Sequence, residues 1–280
     1  MIALLLTLLA GLLAGVAPRV MARLVLFRRA PRAALVAWQA VSLAAVLSAL
    51  AAAPAAVPSL QRTGGLLLAV ALVVSGLVFA RLLLSGHRIG TRLRAARNRH
   101  RDLVDLLATQ HDSGGRVRVL DHPTPTAYCL PGRRSRVVLT QGALAALPGQ
   151  ELDAVLAHER AHLRGRHDLL LEYFSVLHHS VPRPLRSSAA LSEVRLLVEA
   201  LADRAAVHTS GPVTTARALT RLAQGQAPEA GLGADGDGTT AVRIRLLAAD
   251  PLPAVTVWLM HAYAGVVLAL PLALLWLAWR

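Results

Sequence analysis

The chain has one cysteine, no lysine and four long stretches with no charged residue. The lone Cys129 excludes an intrachain disulfide and fits a reducing compartment. In a short strand a single small thiol reads as packing rather than as a catalytic nucleophile. The missing lysine leaves arginine as the carrier of all 30 basic charges against 16 acids, a net charge of +14. No groove-reading module accompanies that charge, so direct nucleic-acid binding is not expected.

Charge is also scarce overall. Only 16% of residues are charged, 55% are apolar and the mean hydropathy is +0.50, greasier than an ordinary soluble enzyme. Residues 1–18, 33–60, 63–80 and 251–279 contain no Asp, Glu, Lys or Arg. Each approaches or exceeds the length that crosses a hydrocarbon core of about 30 Å. The first has no basic residue ahead of its apolar run, which favours an anchor over a cleaved signal peptide.

The arginines set an orientation. Arg19, Arg23, Arg28, Arg29 and Arg32 fill the first loop, the second has Arg62, and Arg88, Arg92, Arg94, Arg97, Arg99 and Arg101 follow the third stretch. Basic loops stay cytoplasmic. The expected topology therefore has both termini outside and the segment from about Ser85 to Asp250 inside, in a bacterial plasma membrane. Trp38, Trp258, Trp276 and Trp279 fall near span ends, where indole rings favour the interface, and Arg81 would snorkel to it.

Within the inner segment stands His158-Glu159-Arg160-Ala161-His162. Two histidines four apart share one helix face and can grip one zinc ion, while the intervening Glu159 can take a proton from water beside it. Apolar spacing from Leu152 to Leu163, with Gly165 as a stop, predicts the helix. A second periodic stretch, 187–208, places Glu199 and Asp203 one turn apart. A Glu can complete a three-ligand zinc site and an Asp can accept a hydrogen bond from a ligand imidazole. Glu193 on the same helix is the alternative ligand. His167, His178 and His179 read as surface or packing residues; His261, within the fourth span, reads as functional or as a helix-packing or interfacial residue, and Asp168 as a helix cap or a support of the site.

HExxH followed by a Glu-x-x-Ala-Asp helix resembles the gluzincin metallopeptidases, and the span layout resembles the BlaR/MecR-type family. The resemblance extends to 126–132 and 136–142, similar to that family's short hairpin before the zinc helix, where an edge strand can hold an extended peptide. It implies one zinc per chain held by His158, His162 and Glu199, Glu159 as general base and acid, and Asp203 orienting His158. Arg195, Tyr173 and His208 are candidates for oxyanion or substrate contacts. It also implies a protein substrate in signal transduction, with a winged-helix repressor as the example. The receptor members carry an extracellular sensor after the last span. This sequence stops at Arg280, so sensing is expected through the spans, the loops or a partner.

The expected fold is mainly α: a polytopic membrane protein with four transmembrane helices and a cytoplasmic gluzincin-like α+β zinc-protease domain between the third and fourth. The expected parts are 1–84, three spans with a basic loop at 19–32; 85–250, the protease domain; and 251–280, the last span. Strands are expected at 117–120, 127–130 and 136–140, a helix at 88–110, a break at Pro182 and Pro184, and a flexible linker at 231–238. Two other functions remain open, a housekeeping protease of the HtpX kind that degrades membrane proteins, and a non-catalytic transducer that keeps a metal site. Oligomeric state is unknown.

Overall fold

The structure, a computed structural model, describes residues 1–60, 65–111, 116–132, 134–181, 186, 188–225 and 236–280. Pro182, Pro184, Arg62 and most of the expected linker lie outside the described residues. The chain is mainly helical and divides into two compact units, Met1–Gly90 with Glu172–Arg195 and Pro251–Arg280, and Thr91–Leu171 with Leu196–Asp250.

The first unit holds the apolar helices. α1 (Ile2–Gly11) runs through a π turn (Leu12–Val16) into α2 (Ala17–Met21), and a 3₁₀ turn (Val25–Arg29) leads to α3 (Pro31–Leu60). Among the described residues, four helices are long and apolar enough to cross a membrane: Ile2–Met21, Pro31–Pro58, Ala69–Leu107 and Ala254–Ala278. α3 packs against α1 and against α11 (Ala254–Ala278). Ala33, Ala34, Ala37, Ala40, Ala44 and Ala45 are buried on it, and such small residues let helix backbones approach closely. Trp38 is buried among them, not at an exposed span end, whereas Trp258, Trp276 and Trp279 are exposed. Arg81 has a partner of its own. It donates Nε–H to the Ser180 carbonyl at 2.7 Å, at the end of α7 (His167–Ser180), where the last helical carbonyls want a donor and a cation.

α4 (Gly65–Leu107) continues without a break from the third apolar stretch through the basic run. It stops short of the expected 110, because Thr109–Gln110 forms a short strand, β1, instead. In the second unit β1 pairs antiparallel with β2 (Val117–Leu120), β2 parallel with β4 (Arg136–Thr140), and β4 antiparallel with β3 (Ala127–Leu130). The order β1-β2-β4-β3 leaves β3 at an edge.

Both faces of this small sheet are covered. Val117, Val119 and Leu139 meet Ala143, Leu147, Ala154, Val155, Ala206 and Ala218 on one side, while Leu130 and Val138 meet Val104 on the other. Thr140 ends β4 and caps α5 (Gln141–Ala146): its hydroxyl accepts from the Ala143 N–H at 3.1 Å. Gly142 is required here, since a Cβ would collide with the Pro123 carbonyl. β4 thus ends at Thr140, where the sequence places the end of the strand. α6 (Gly149–Arg164), α8 (Ala189–Ser210), α9 (Pro212–Gly225) and α10 (Gly236–Leu247) complete the elements, and α10 absorbs the last residues of the expected linker.

Candidate metal centre

α6 carries the HExxH residues and ends at Gly165, as its apolar spacing dictates. Two residues separate it from α7. Arg166 adopts a left-handed backbone (φ 47°), unusual for a side chain of this kind, and the sharp turn folds His167 back onto α6. Gly165 leaves room for that ring, because a Cβ there would lie 2.7 Å from His167 Cδ2.

On this frame His158, His162 and Glu199 bring one donor atom each within 4.8 Å of one another. His158 Nε2 lies 3.1 Å from His162 Nε2 and 3.3 Å from Glu199 Oε2, and His162 Nε2 lies 3.4 Å from Glu199 Oε1. Ligand bonds of about 2.0–2.2 Å in a tetrahedron put neighbouring donors about 3.3–3.6 Å apart. The two His–Glu separations, one to each carboxylate oxygen, fall within that spacing and the His–His one is slightly shorter, close to what a cation such as zinc requires. The chemistry of the set agrees: two imidazoles and a carboxylate are ordinary zinc ligands, and binding a cation there would displace the His158 proton.

Each donor is backed by a second group. Asp203 Oδ1 sits 3.0 Å from His158 Nδ1, close but off the line of a good hydrogen bond. His162 Nδ1 pairs with His167 Nδ1 at 3.0 Å. His167 is therefore neither a surface residue nor a member of the triad; it is buried against the outer nitrogen of His162. Asp168, expected as a cap, pairs with Arg97 at 3.2 Å in the first turn of α7.

One group had no part in the sequence reading. Arg243 of α10 places Nε 2.8 Å from Asp203 Oδ2, Nη2 2.6 Å from Asp203 Oδ1 and Nη1 3.2 Å from Glu199 Oε2. The Tyr173 hydroxyl pairs with Ser42 at 2.9 Å in the first unit, and Arg195 and His208 are exposed. Glu193, the alternative ligand, is held by Arg28, with Nε and Nη2 each 2.8 Å from its carboxylate.

The protein's own charges set the protonation of the site. Burial depresses the His158 imidazole, but the adjacent Asp203 and Glu199 carboxylates outweigh it and lift the pKa to about 9. Burial dominates at His162, lowering it to about 4. For Glu199 burial works upward, yet His158 and Arg243 bring it down to about 2. Asp203 is lowered in the same way, with Arg243 and then His158 overcoming burial. Glu159 goes the other way: it is buried, and desolvation raises its pKa. Burial, and after it the charge of the Glu159 carboxylate, pushes the Cys129 thiol on β3 far upward.

These features define a helix-borne His-His-Glu centre with a buried carboxyl beside it, a site of the metallopeptidase kind. Residues 94–192 match the model of Peptidase family M48. The match includes the histidine pair and ends before Glu199, whose place rests on the sequence spacing and the geometry. Plastoglobule-localized metallopeptidase 48, chloroplastic, of Arabidopsis thaliana is 30% identical over 152 residues, 49% of this chain and 44% of that protein. The chain thus spans less than half the length of this relative. No solved structure matches. The comparisons support a metallopeptidase and do not single out the BlaR/MecR-type branch.

Proposed function

We propose that the chain is a membrane-embedded zinc endopeptidase acting on protein substrates. The observation that carries this reading is the convergence of His158, His162 and Glu199 at 3.1–3.4 Å with the buried Glu159 on the same helix. These three residues would hold one zinc. Bound there, zinc lowers the pKa of water toward about 7 and polarises a carbonyl oxygen.

The remaining chemistry belongs to the chain. Glu159, with its pKa raised by burial, accepts the proton of the attacking water and holds it long enough to pass to the leaving amine. Asp203 keeps the His158 ring oriented. β3 lies at the sheet edge and packs against α6, the helix that carries Glu159, so an extended peptide pairing with β3 would run near the general base.

Four spans, with the zinc domain on the cytoplasmic side of a bacterial plasma membrane, remain the topology that the arginine distribution supports. Of the two protease roles, cleavage of a repressor or other regulator rests on the span layout. The HtpX-like role, degradation of membrane proteins, gains from a match to a metallopeptidase family model. The test is digestion of β-casein by the detergent-purified chain. Phenanthroline should stop cleavage, and zinc added after its removal should restore it. Cleavage that persists without metal would end the zinc reading.

A further inference from the structure

Arg243 touches both acids of α8 at once. Its Nε and Nη2 grip the two Asp203 oxygens, and its Nη1 reaches Glu199 Oε2, the same oxygen that lies 3.3 Å from His158 Nε2. Only a guanidinium presents a planar fork that closes on one carboxylate with two N–H groups and keeps a third nitrogen for another. A lysine is a point donor and cannot reproduce the pattern.

The fork has work to do at both carboxylates. Asp203 is 1% exposed, and a buried carboxylate with only an imidazole beside it is costly. Glu199 is more open, and its long side chain has several rotamers to choose from. Held by Nη1, it turns Oε2 toward His158 and leaves Oε1 toward His162. A cation near a metal site also repels the metal, so Arg243 belongs there only if the order it imposes outweighs that repulsion; the two carboxylates it contacts offset the charge.

We infer that Arg243 is the positioning residue of the metal centre, holding the ligand Glu199 directly and the ligand His158 through Asp203, so that the three donors are aligned before a cation arrives. The inference rests on the zinc reading above. It makes α10 part of the site, although no α10 residue is a ligand.

The test uses the full chain in detergent, with two readouts: the zinc dissociation constant by competition with a chromophoric chelator, and the unfolding midpoint in EDTA. The proteins are wild type, Arg243→Gln, Arg243→Lys, Asp203→Asn and the double variant Asp203→Asn/Arg243→Gln. Arg243→Gln should weaken zinc binding about 10- to 100-fold, and Arg243→Lys should recover only a minor part. The double variant leaves no buried acid unpaired at 203, so it should regain unfolding midpoint over Arg243→Gln; should that single variant fail to fold, the double carries the test. It should still bind zinc at least about fivefold more weakly than Asp203→Asn, because the Glu199 arm is gone as well.

Equal zinc affinity of the double variant and Asp203→Asn would confine Arg243 to neutralising Asp203 and overturn the inference. So would wild-type affinity in Arg243→Gln. A wild-type chain that binds no zinc at all would remove the metal reading itself and Arg243's role with it, an outcome told apart from the others by the wild type alone.

Discussion

Glu193 and Asp203 sit on the same helix, are both buried, and are each gripped by two nitrogens of one arginine, Arg28 in the first unit and Arg243 in the second. Their surroundings separate them. Asp203 has His158 at 3.0 Å and a neighbour, Glu199, one turn back; Glu193 is turned about 120° from Glu199 around α8. Among the described residues the one group able to hold a metal is His158, His162 and Glu199. An arginine–carboxylate clamp is thus equally at home holding a fold together and holding a ligand set in place. What stands within one side chain of the acid decides which.

The comparison breaks most sharply on activity. Glu159 and Glu193 are both buried glutamates, but only Glu159 adjoins the histidine pair. Glu159→Gln should cut β-casein hydrolysis by roughly 100- to 10,000-fold with zinc retained, while Glu193→Gln should leave turnover near wild type. Matching losses in both would mean that burial, not chemistry, had been disturbed.

Stability comes next. Arg28→Ala leaves Glu193 without its cation, and an unpaired buried charge costs about 3 kcal/mol or more. The thermal midpoint in detergent should fall, and zinc per chain should not. Pairing Arg28→Ala with Glu193→Gln should recover much of the loss; a midpoint unchanged in the single variant would deny that the clamp matters.

A smaller effect tests the partner of His162. His167→Ala should weaken zinc about tenfold by freeing the outer nitrogen of that ring, and an unchanged dissociation constant would return His167 to mere packing.

The last effect is kinetic and pH-dependent. Burial and the Glu159 carboxylate raise the Cys129 pKa, so thiolate is scarce through pH 8. Iodoacetamide labelling should be at least about tenfold slower than for a free thiol, rising with pH. Glu159→Gln should speed it only partly, since burial is the larger cause. Labelling at the free-thiol rate would contradict the placement of Cys129.

The parts written in local periodicity could be read from the sequence. The apolar stretches, the zinc helix ended by Gly165 and the three main strands each follow from residue spacing, and the histidine pair and the Glu199–Asp203 turn follow from the 3.6-residue repeat. What escaped depends on long-range packing. Arg243 is 40 residues from Asp203, and Arg28 is 165 from Glu193. Nothing in an Arg-rich sequence marks which arginines are buried, although Arg243, in the apolar run 241–247, offered a weak cue. His167 was missed because its approach to His162 needs the left-handed turn at Arg166, which few residues other than glycine advertise. Trp38 is buried because the small alanines around it leave room for the ring, a consequence of helix packing that local spacing does not encode.

The most direct measurement is zinc per chain by elemental analysis of detergent-purified wild type, His162→Ala, Glu199→Ala and Glu193→Gln. About one zinc in the wild type and in Glu193→Gln, with a sharp drop in the other two, is the predicted result. A folded wild type without zinc, or a Glu199→Ala variant that keeps it while Glu193→Gln loses it, would contradict the account.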